Sequence, residues 1–390
     1  MPPPYIERRE FGFFPPRKEK MIRHVSFQNI KQLIEFIINL IPFDIYHSSA
    51  YYKKPDHDKM VSKEWLGADL IFDIDCDHIK TPCKTEHRIG RCPKCNRIVS
   101  NEIILCPNCK SEVLEDPWIC EKCLEAAKQE ALKLITILEE DFGFMEKEFE
   151  IVFSGHRGYH IHIKREAIQQ IGSDERKEIV DYITGSGIKI DIYQSQGEKG
   201  KIFELNLVKS GWAGRIAKTL YALSLKNREN LEQEFKGYKE IIPRFGATAE
   251  KLVTKQETIN TKLTEGTSWN EIARTMTMGE KTWQRLVEFL IIKASAHIDT
   301  VVTTDTHRLI RLPNSLHGKT AFRAVPLSVS QLYDFNPLEE AVAFGDEIVP
   351  VYIKAAMPIK ISNQIYGPYN NENVKLPLAT TLFLLCRGNA

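Results

Sequence analysis

Nowhere do these 390 residues carry an apolar run of about 18 or more that could cross a bilayer as a helix, so no membrane span is expected. The opening residues, MPPPYIERREFGFF, lack the basic start and apolar core of a secretion signal, which points to the cytosol. Neither sign of charge prevails. With 53 Lys and Arg against 52 Asp and Glu the formal net charge is +1, so contact with nucleic acid must come from a local basic groove, not from a cationic whole. Internal repeats and low-complexity tracts are absent, and so is any Ser-His-Asp or Cys-His grouping that would call for a protein nucleophile. Cysteines number nine, and six of them form three Cys-x-x-Cys pairs between residues 92 and 123, a metal-ligand spacing that argues against disulfides in a chain without a secretion signal.

What is present suffices for two or three structural units with a sizeable core: 43% of residues are hydrophobic and 27% charged. Ile30, Leu33, Ile34, Phe36, Ile37, Ile38 and Ile41 are dense enough to predict a buried helix after a turn at Asn29. DLIFDIDC at 69–76 reads as a short central strand. Residues 80–124, rich in Cys, Lys, Asn and Pro, look like an insertion that needs a staple to fold. Helical spacing then runs through Leu124, Ala127, Ala131, Leu134, Ile135 and Leu138 to an end near Gly143. EFEIVFSGHRGYHIHIKRE predicts a hairpin turning at Ser154–Gly158, and 173–290 reads as helical, with Ser268 as a cap. HIDTVV, HRLIRLP and IVPVYIKAAMPIKI predict short strands that rejoin the first part. The expected class is α/β (α+β), with mixed sheets flanked by helices, one helical subdomain and one metal-binding insertion. The expected division is a core of 1–79, 125–204 and 291–390, an insertion at 80–124 and a helical subdomain at 205–290.

Three clusters carry chemistry. Asp73 and Asp75 lie two apart, so on a strand they share one face while Phe72 and Ile74 take the other. Carboxylates so placed repel unless cations sit between them, and hard oxygen donors suit Mg²⁺ or Mn²⁺. A solvated strand end, with Asp77 leading into the insertion, is the plain alternative. The turn SGHRGYH offers Ser154, Arg157 and His160 around two glycines, a mixture that holds phosphate close to backbone. Its plain alternative is a hairpin with His160 and His162 in solvent. HRLIRLPNSLHGKT supplies Arg308, Arg311, Ser315, His317 and Lys319, either a second anion site or a basic edge strand. Upstream, Asp299 and Asp305 are both candidate third carboxylates, evenly spaced for one face of a continuous strand.

In this order, the aspartate pair, SG-x-RG-x-H, and a late aspartate before LPNSLHGKT resemble the archaeo-eukaryotic DNA primase small subunit. The resemblance extends to REFGFF at Arg9–Phe14, MIRHVSF at Met21–Phe27, EDFGF at Glu140–Phe144 and DFNP at Asp334–Pro337, and covers most of the chain; 205–290 matches least well. It implies a nucleotidyltransferase that builds short RNA primers, and DNA primers besides, on single-stranded DNA template in replication. By the same resemblance Asp73, Asp75 and Asp299 bind two divalent metals, Mg²⁺ or Mn²⁺. Ser154, Arg157, His160, Arg311, Ser315, His317 and Lys319 hold the incoming triphosphate, while Glu10 and Arg23 lie near the nucleotide. His156 stands where relatives often carry Arg. The implied partners are a large primase subunit in a heterodimer, template, primer and nucleoside triphosphates. Two other readings are a primase-polymerase for repair or plasmid replication, and a non-catalytic zinc-ribbon nucleic-acid-binding subunit whose aspartates are merely solvated.

Cys92-Pro-Lys-Cys95 and Cys106-Pro-Asn-Cys109 form two matching knuckles of a zinc ribbon. Outside them, Cys83 and His87 on one side and Cys120 and Cys123 on the other suit a second zinc site that encloses the ribbon; His78 or Cys76 are alternatives to His87. The resemblance supports that division, since relatives carry one zinc site after the aspartate pair. Four protein ligands leave no open position, so these one or two zinc ions are expected to be structural.

Overall fold

The computed structural model describes residues 3–16, 20–81, 83, 89–95, 97–100, 103–115, 119–188 and 204–390. These form a mixed α/β protein in two compact units, one of residues 1–132, 145–178 and 297–390, the other of 133–144 and 179–296.

The first unit is built on two four-stranded antiparallel sheets. One runs Leu309–Arg311, Asp44–Ser48, Phe11–Phe14, Ile22–Val25; the other runs Pro326–Leu327, Phe149–Phe153, Gly158–Ile163, Leu70–Asp75. Phe11, Phe13, Phe27 and Leu33 close the core under the first sheet, with Phe11 and Phe27 edge to face at 5.2 Å. In the second sheet Phe72 and Ile74 are fully buried, so the alternation of a strand turns Asp73 and Asp75 to the opposite face. That face meets the first sheet, where His47 stacks on His162 with ring centroids 6.3 Å apart.

Two expectations are corrected here. The helix Ile30–Leu40 starts at Asn29, whose carboxamide oxygen accepts from the Gln32 amide at 3.1 Å, but it is not buried. Leu33 alone of its residues is fully inside, and Ile30, Ile34 and Ile38, joined by Ile41, form an exposed apolar stripe. A count of apolar residues cannot tell which face has a neighbour. HIDTVV, expected as strand, is instead the helical turn Thr300–Thr304. The Asp299 carboxylate caps it, accepting from the Val301 amide at 3.0 Å, and Asp305 closes its other end. The cap outweighs the strand preference of a Thr/Val run. Asp299 and Asp305 therefore sit at opposite ends of a helical turn, not on one strand face.

The second unit is helical, with Gly211–Ser224, Arg228–Lys236, Phe245–Thr254, Gln256–Glu265, Trp269–Thr275 and Glu280–Ala294 around Trp283, Phe235 and Phe289. Ser268 caps the helix Trp269–Thr275 through the Glu271 amide at 3.3 Å. Within this unit Arg215 pairs with Asp141 at 2.9 Å and lies over the Trp212 ring, a buried charge with both a partner and a π face.

Candidate functional site

The strand Leu70–Asp75 pairs along its length with Gly158–Ile163, which sets Asp73 opposite His160 and Asp75 opposite Gly158. Glycine at 158 is forced by this approach: a Cβ there would lie 1.9 Å from the Ile74 carbonyl oxygen. Gly155, at φ +81°, makes the turn, and a Cβ on it would press to 2.8 Å from the His317 Cβ. The glycines thus bring the LPNSLHGKT segment against the SGHRGYH turn, and Thr320 seals the contact by donating its hydroxyl to the Gly155 carbonyl at 2.6 Å.

Asp299 joins the aspartate pair through backbone, its amide donating to the Asp73 carbonyl at 2.8 Å. Burial, then Asp75, then Asp299 raise the Asp73 carboxyl to about pKa 7, against a smaller opposing pull from Arg308. Three carboxylates in mutual repulsion are the donor set a hard divalent cation would relieve. Asp305 stays apart: its carboxylate accepts from the His307 amide at 2.9 Å.

The basic residues surround this group. Arg157 is engaged by the Asp77 carboxylate and lies 3.9 Å from Asp75, so in this state its guanidinium is held by acids. His160 Nε2 stands 3.7 Å from Asp73, while its Nδ1 is buried without a hydrogen bond; burial, with His162, Arg311 and Arg308, pushes its pKa down to about 3. Neither His160 nor His162 is in solvent; both are buried. His317 stacks on His156 at 4.9 Å, and burial first, then neighbouring cations, keep both imidazoles neutral. The Lys319 amide donates to His317 Nδ1 at 3.1 Å, which leaves the ring proton on Nε2. Arg311 reaches Asp44 at 2.6 Å and the Tyr46 hydroxyl at 3.0 Å, and Asp44 also accepts from the Gly318 amide at 2.8 Å. Ser154 accepts from the His156 amide at 3.3 Å, whereas Ser315 donates its hydroxyl to the Leu312 carbonyl at 2.7 Å and is buried.

Glu10 is fully buried in the same unit. It accepts from Arg23 Nε at 2.9 Å and pairs with Lys63 at 3.1 Å; burial opposes its charge, but Arg23 and Lys63 together outweigh it and lower its pKa. Lys63, itself fully buried and over the Tyr52 ring, gave no sign in the sequence, and neither did Asp44, because both act on residues far away in the chain. Arg308 was legible only as one of several cations; its charge acts on Asp73 and His160.

In the insertion, Cys92, Cys95, Cys106 and Cys109 gather their sulfurs, with Cys92 to Cys109 at 3.3 Å, Cys95 to Cys106 at 3.6 Å and Cys109 to Cys95 at 3.7 Å. A disulfide would need about 2.05 Å, whereas tetrahedral thiolates about 2.3 Å from zinc lie about 3.8 Å from one another. Cys83, Cys120 and Cys123 form a second cluster, with Cys83 to Cys123 at 3.4 Å and Cys120 to Cys83 at 3.7 Å. His87 lies outside the described residues. The Cys76 thiol stands within hydrogen-bonding reach of Cys123. Both clusters can hold zinc.

Residues 72–329 match the family model described as DNA primase small subunit. The whole chain aligns at 33% identity with a DNA primase small subunit PriS from Methanothrix thermoacetophila, over 93% of that protein. It aligns at 34% with those of Archaeoglobus fulgidus and Methanococcoides burtonii, over 92% and 93% of their lengths.

Proposed function

This chain belongs to the DNA primase small-subunit family, and from that membership we propose that it synthesises short RNA primers on single-stranded DNA by two-metal nucleotidyl transfer. The observation that carries the reading is the raised Asp73 carboxyl beside Asp75 and Asp299, a concentration of acid that repels itself until cations are bound. Asp73, Asp75 and Asp299 would hold two ions of Mg²⁺ or Mn²⁺, which when bound acidify the attacking hydroxyl and neutralise charge on the phosphorus and the pyrophosphate leaving group.

The chain's own part is to position and to supply positive charge. Ser154, Arg157, His160, Arg311, Ser315, His317 and Lys319 hold the triphosphate, with Glu10 and Arg23 near the nucleotide. His317, neutral and protonated on Nε2, enters as a hydrogen-bond donor. Arg157 exchanges the Asp77 carboxylate for phosphate as the nucleotide arrives, so its pairing here stores the guanidinium in place instead of leaving it to wander. Cys92, Cys95, Cys106 and Cys109 hold one structural zinc; Cys83, Cys120 and Cys123, with His87, His78 or Cys76, hold a second. The partner is a larger primase subunit.

The test is primer synthesis on single-stranded DNA with labelled ribonucleotides and deoxynucleotides, in Mg²⁺ and in Mn²⁺. Asp73→Ala, Asp75→Ala and Asp299→Ala should each lower incorporation by about 10³-fold or more with the fold retained, while Asp305→Ala stays within about tenfold of wild type. An inactive Asp305→Ala beside an active Asp299→Ala would reverse the assignment of the third carboxylate.

A further inference from the structure

The ribbon carries none of the carboxylates or phosphate-binding residues, and the catalytic reading leaves it unused. It is rooted immediately after the strand Leu70–Asp75, so whatever it binds stays close in sequence to Asp73 and Asp75. Its two knuckles face the long antiparallel ladder Ile348–Ala356 with Tyr369–Pro377, and between them lies a cavity of about 480 Å³. From the ribbon come Arg97 and Asn108; from the ladder come Lys354, Tyr369, Asn370 and Asn371. Among the described residues no carboxylate lines it, and the Glu372 carboxylate beside it is engaged by the Asn370 amide at 3.0 Å.

We propose that this groove is a binding site for single-stranded nucleic acid, holding the template strand beyond the catalytic centre. Each part of the lining has a job in such a site. Among the described residues Arg97 forms no ion pair and Lys354 donates one side-chain hydrogen bond, to the main-chain oxygen of Ala390 at 3.3 Å, so Arg97 keeps its charge for phosphate and Lys354 keeps two further protons to offer it. The half-buried Tyr369 ring offers a stacking face that accepts any base, as a template reader without sequence preference requires. The amides of Asn108, Asn370 and Asn371 donate and accept without imposing a charge. A cavity of this size admits a splayed nucleotide and excludes a duplex, whose bases are stacked and paired. The lack of acid among the described lining residues matters because the chain as a whole is nearly neutral, so grip on a polyanion must be concentrated in local basic surfaces.

The groove rests on the primase reading only for which strand it holds; its affinity for single strands stands apart from catalysis, and the experiment keeps the two apart. Zinc-loaded full-length chain is titrated against a labelled oligothymidylate by fluorescence anisotropy over a range of salt, as wild type, Arg97→Ala/Lys354→Ala, Tyr369→Ala and Tyr369→Phe. The double variant should bind about tenfold more weakly at low salt, and its log–log salt slope should fall by about 1.4, the share of two phosphates on a single strand. Tyr369→Ala should lose about tenfold, and Tyr369→Phe, which keeps the ring, should bind as wild type. Nucleotide KM on a pre-annealed primer should stay unchanged in all of them. Wild-type affinity and slope in the double variant would overturn the proposal even if Tyr369→Ala failed to fold. So would variants that keep the oligonucleotide but lose a purified larger subunit, since the groove would then be a protein interface. If instead the wild-type chain adds no nucleotide while these variants still lose the oligonucleotide, the catalytic reading falls and the groove stands.

Discussion

Burial and the charges of Asp75 and Asp299 keep the Asp73 proton in the folded chain until about pH 7, whereas in the unfolded chain it leaves near 3.8. Between those values the folded state binds more protons than the unfolded one, so stability falls as pH rises through this window and Asp73 ionises. The cost begins where the unfolded group ionises, near 3.8, and is complete above about 7, so replacing Asp73 by Asn removes more of it the higher the pH within that window. In metal-free protein Asp73→Asn should therefore raise the melting temperature at pH 8.5, on the order of 2–4 °C, and raise it by a smaller amount at pH 5, where only part of the cost has accrued. Mg²⁺ should narrow the difference by stabilising wild type alone; calorimetry at the two pH values, with and without the ion, reads all four cases. A stabilisation of equal size at pH 5 would mean that Asn packs better, not that charge is relieved. The pair Asp73 and Asp75 was legible because strand period and carboxylate chemistry are both local. Asp44 was not: its claim on Arg311 and on the Gly318 amide exists only once the strands Asp44–Ser48 and Leu309–Arg311 are paired.

At the scale of elements, the ribbon is the most local part of the molecule, and the part whose folding depends most on something other than core packing. Its strands Ile89–Arg91, Ile98–Ser100 and Leu114–Glu115 have two or three residues each, too short to persist without the thiol cluster. Purified protein should contain two zinc ions per chain by elemental analysis, and chelation should dissolve these strands while the two four-stranded sheets persist, since structural zinc contributes on the order of 10 kcal/mol to such modules. One zinc per chain would remove the Cys83–Cys120–Cys123 site, and none would remove both. Cysteine spacing announced the clusters because ligand geometry is imposed within a knuckle. Burial of the helix Ile30–Leu40 could not be read in the same way, since its apolar residues run round most of its circumference and the fold decided that Leu33 would face inward and Ile34 and Ile38 outward. The helical turn Thr300–Thr304 was missed for the opposite reason: β-branched residues suggested strand, and the decisive signal was the capping carboxylate of Asp299, already assigned to chemistry.

For the molecule as a whole, a near-zero net charge means that affinity for template is limited to what local surfaces supply. Extension and initiation differ in how much they ask of those surfaces. During extension a primer–template duplex is already formed and contributes its own ordering, so the protein has to place one triphosphate against a 3′ end. Joining the first two nucleotides requires two triphosphates and a template to be held at once, and the entropy of bringing them together falls entirely on protein contacts. A larger subunit that adds contacts to template or to the first nucleotide should therefore change initiation far more than extension. The isolated chain is expected to extend a supplied primer at a rate within a fewfold of the complex, yet to form dinucleotides more slowly by about tenfold or more, the effect of about 1.4 kcal/mol of missing contact. Dinucleotide formation and primer extension are measured separately, each with and without the larger subunit, at one salt concentration. Equal initiation by the lone chain and the complex would show that its own surfaces suffice, and the ribbon groove, with the phosphate cluster around Arg311 and His317, would then have to supply all of the ordering.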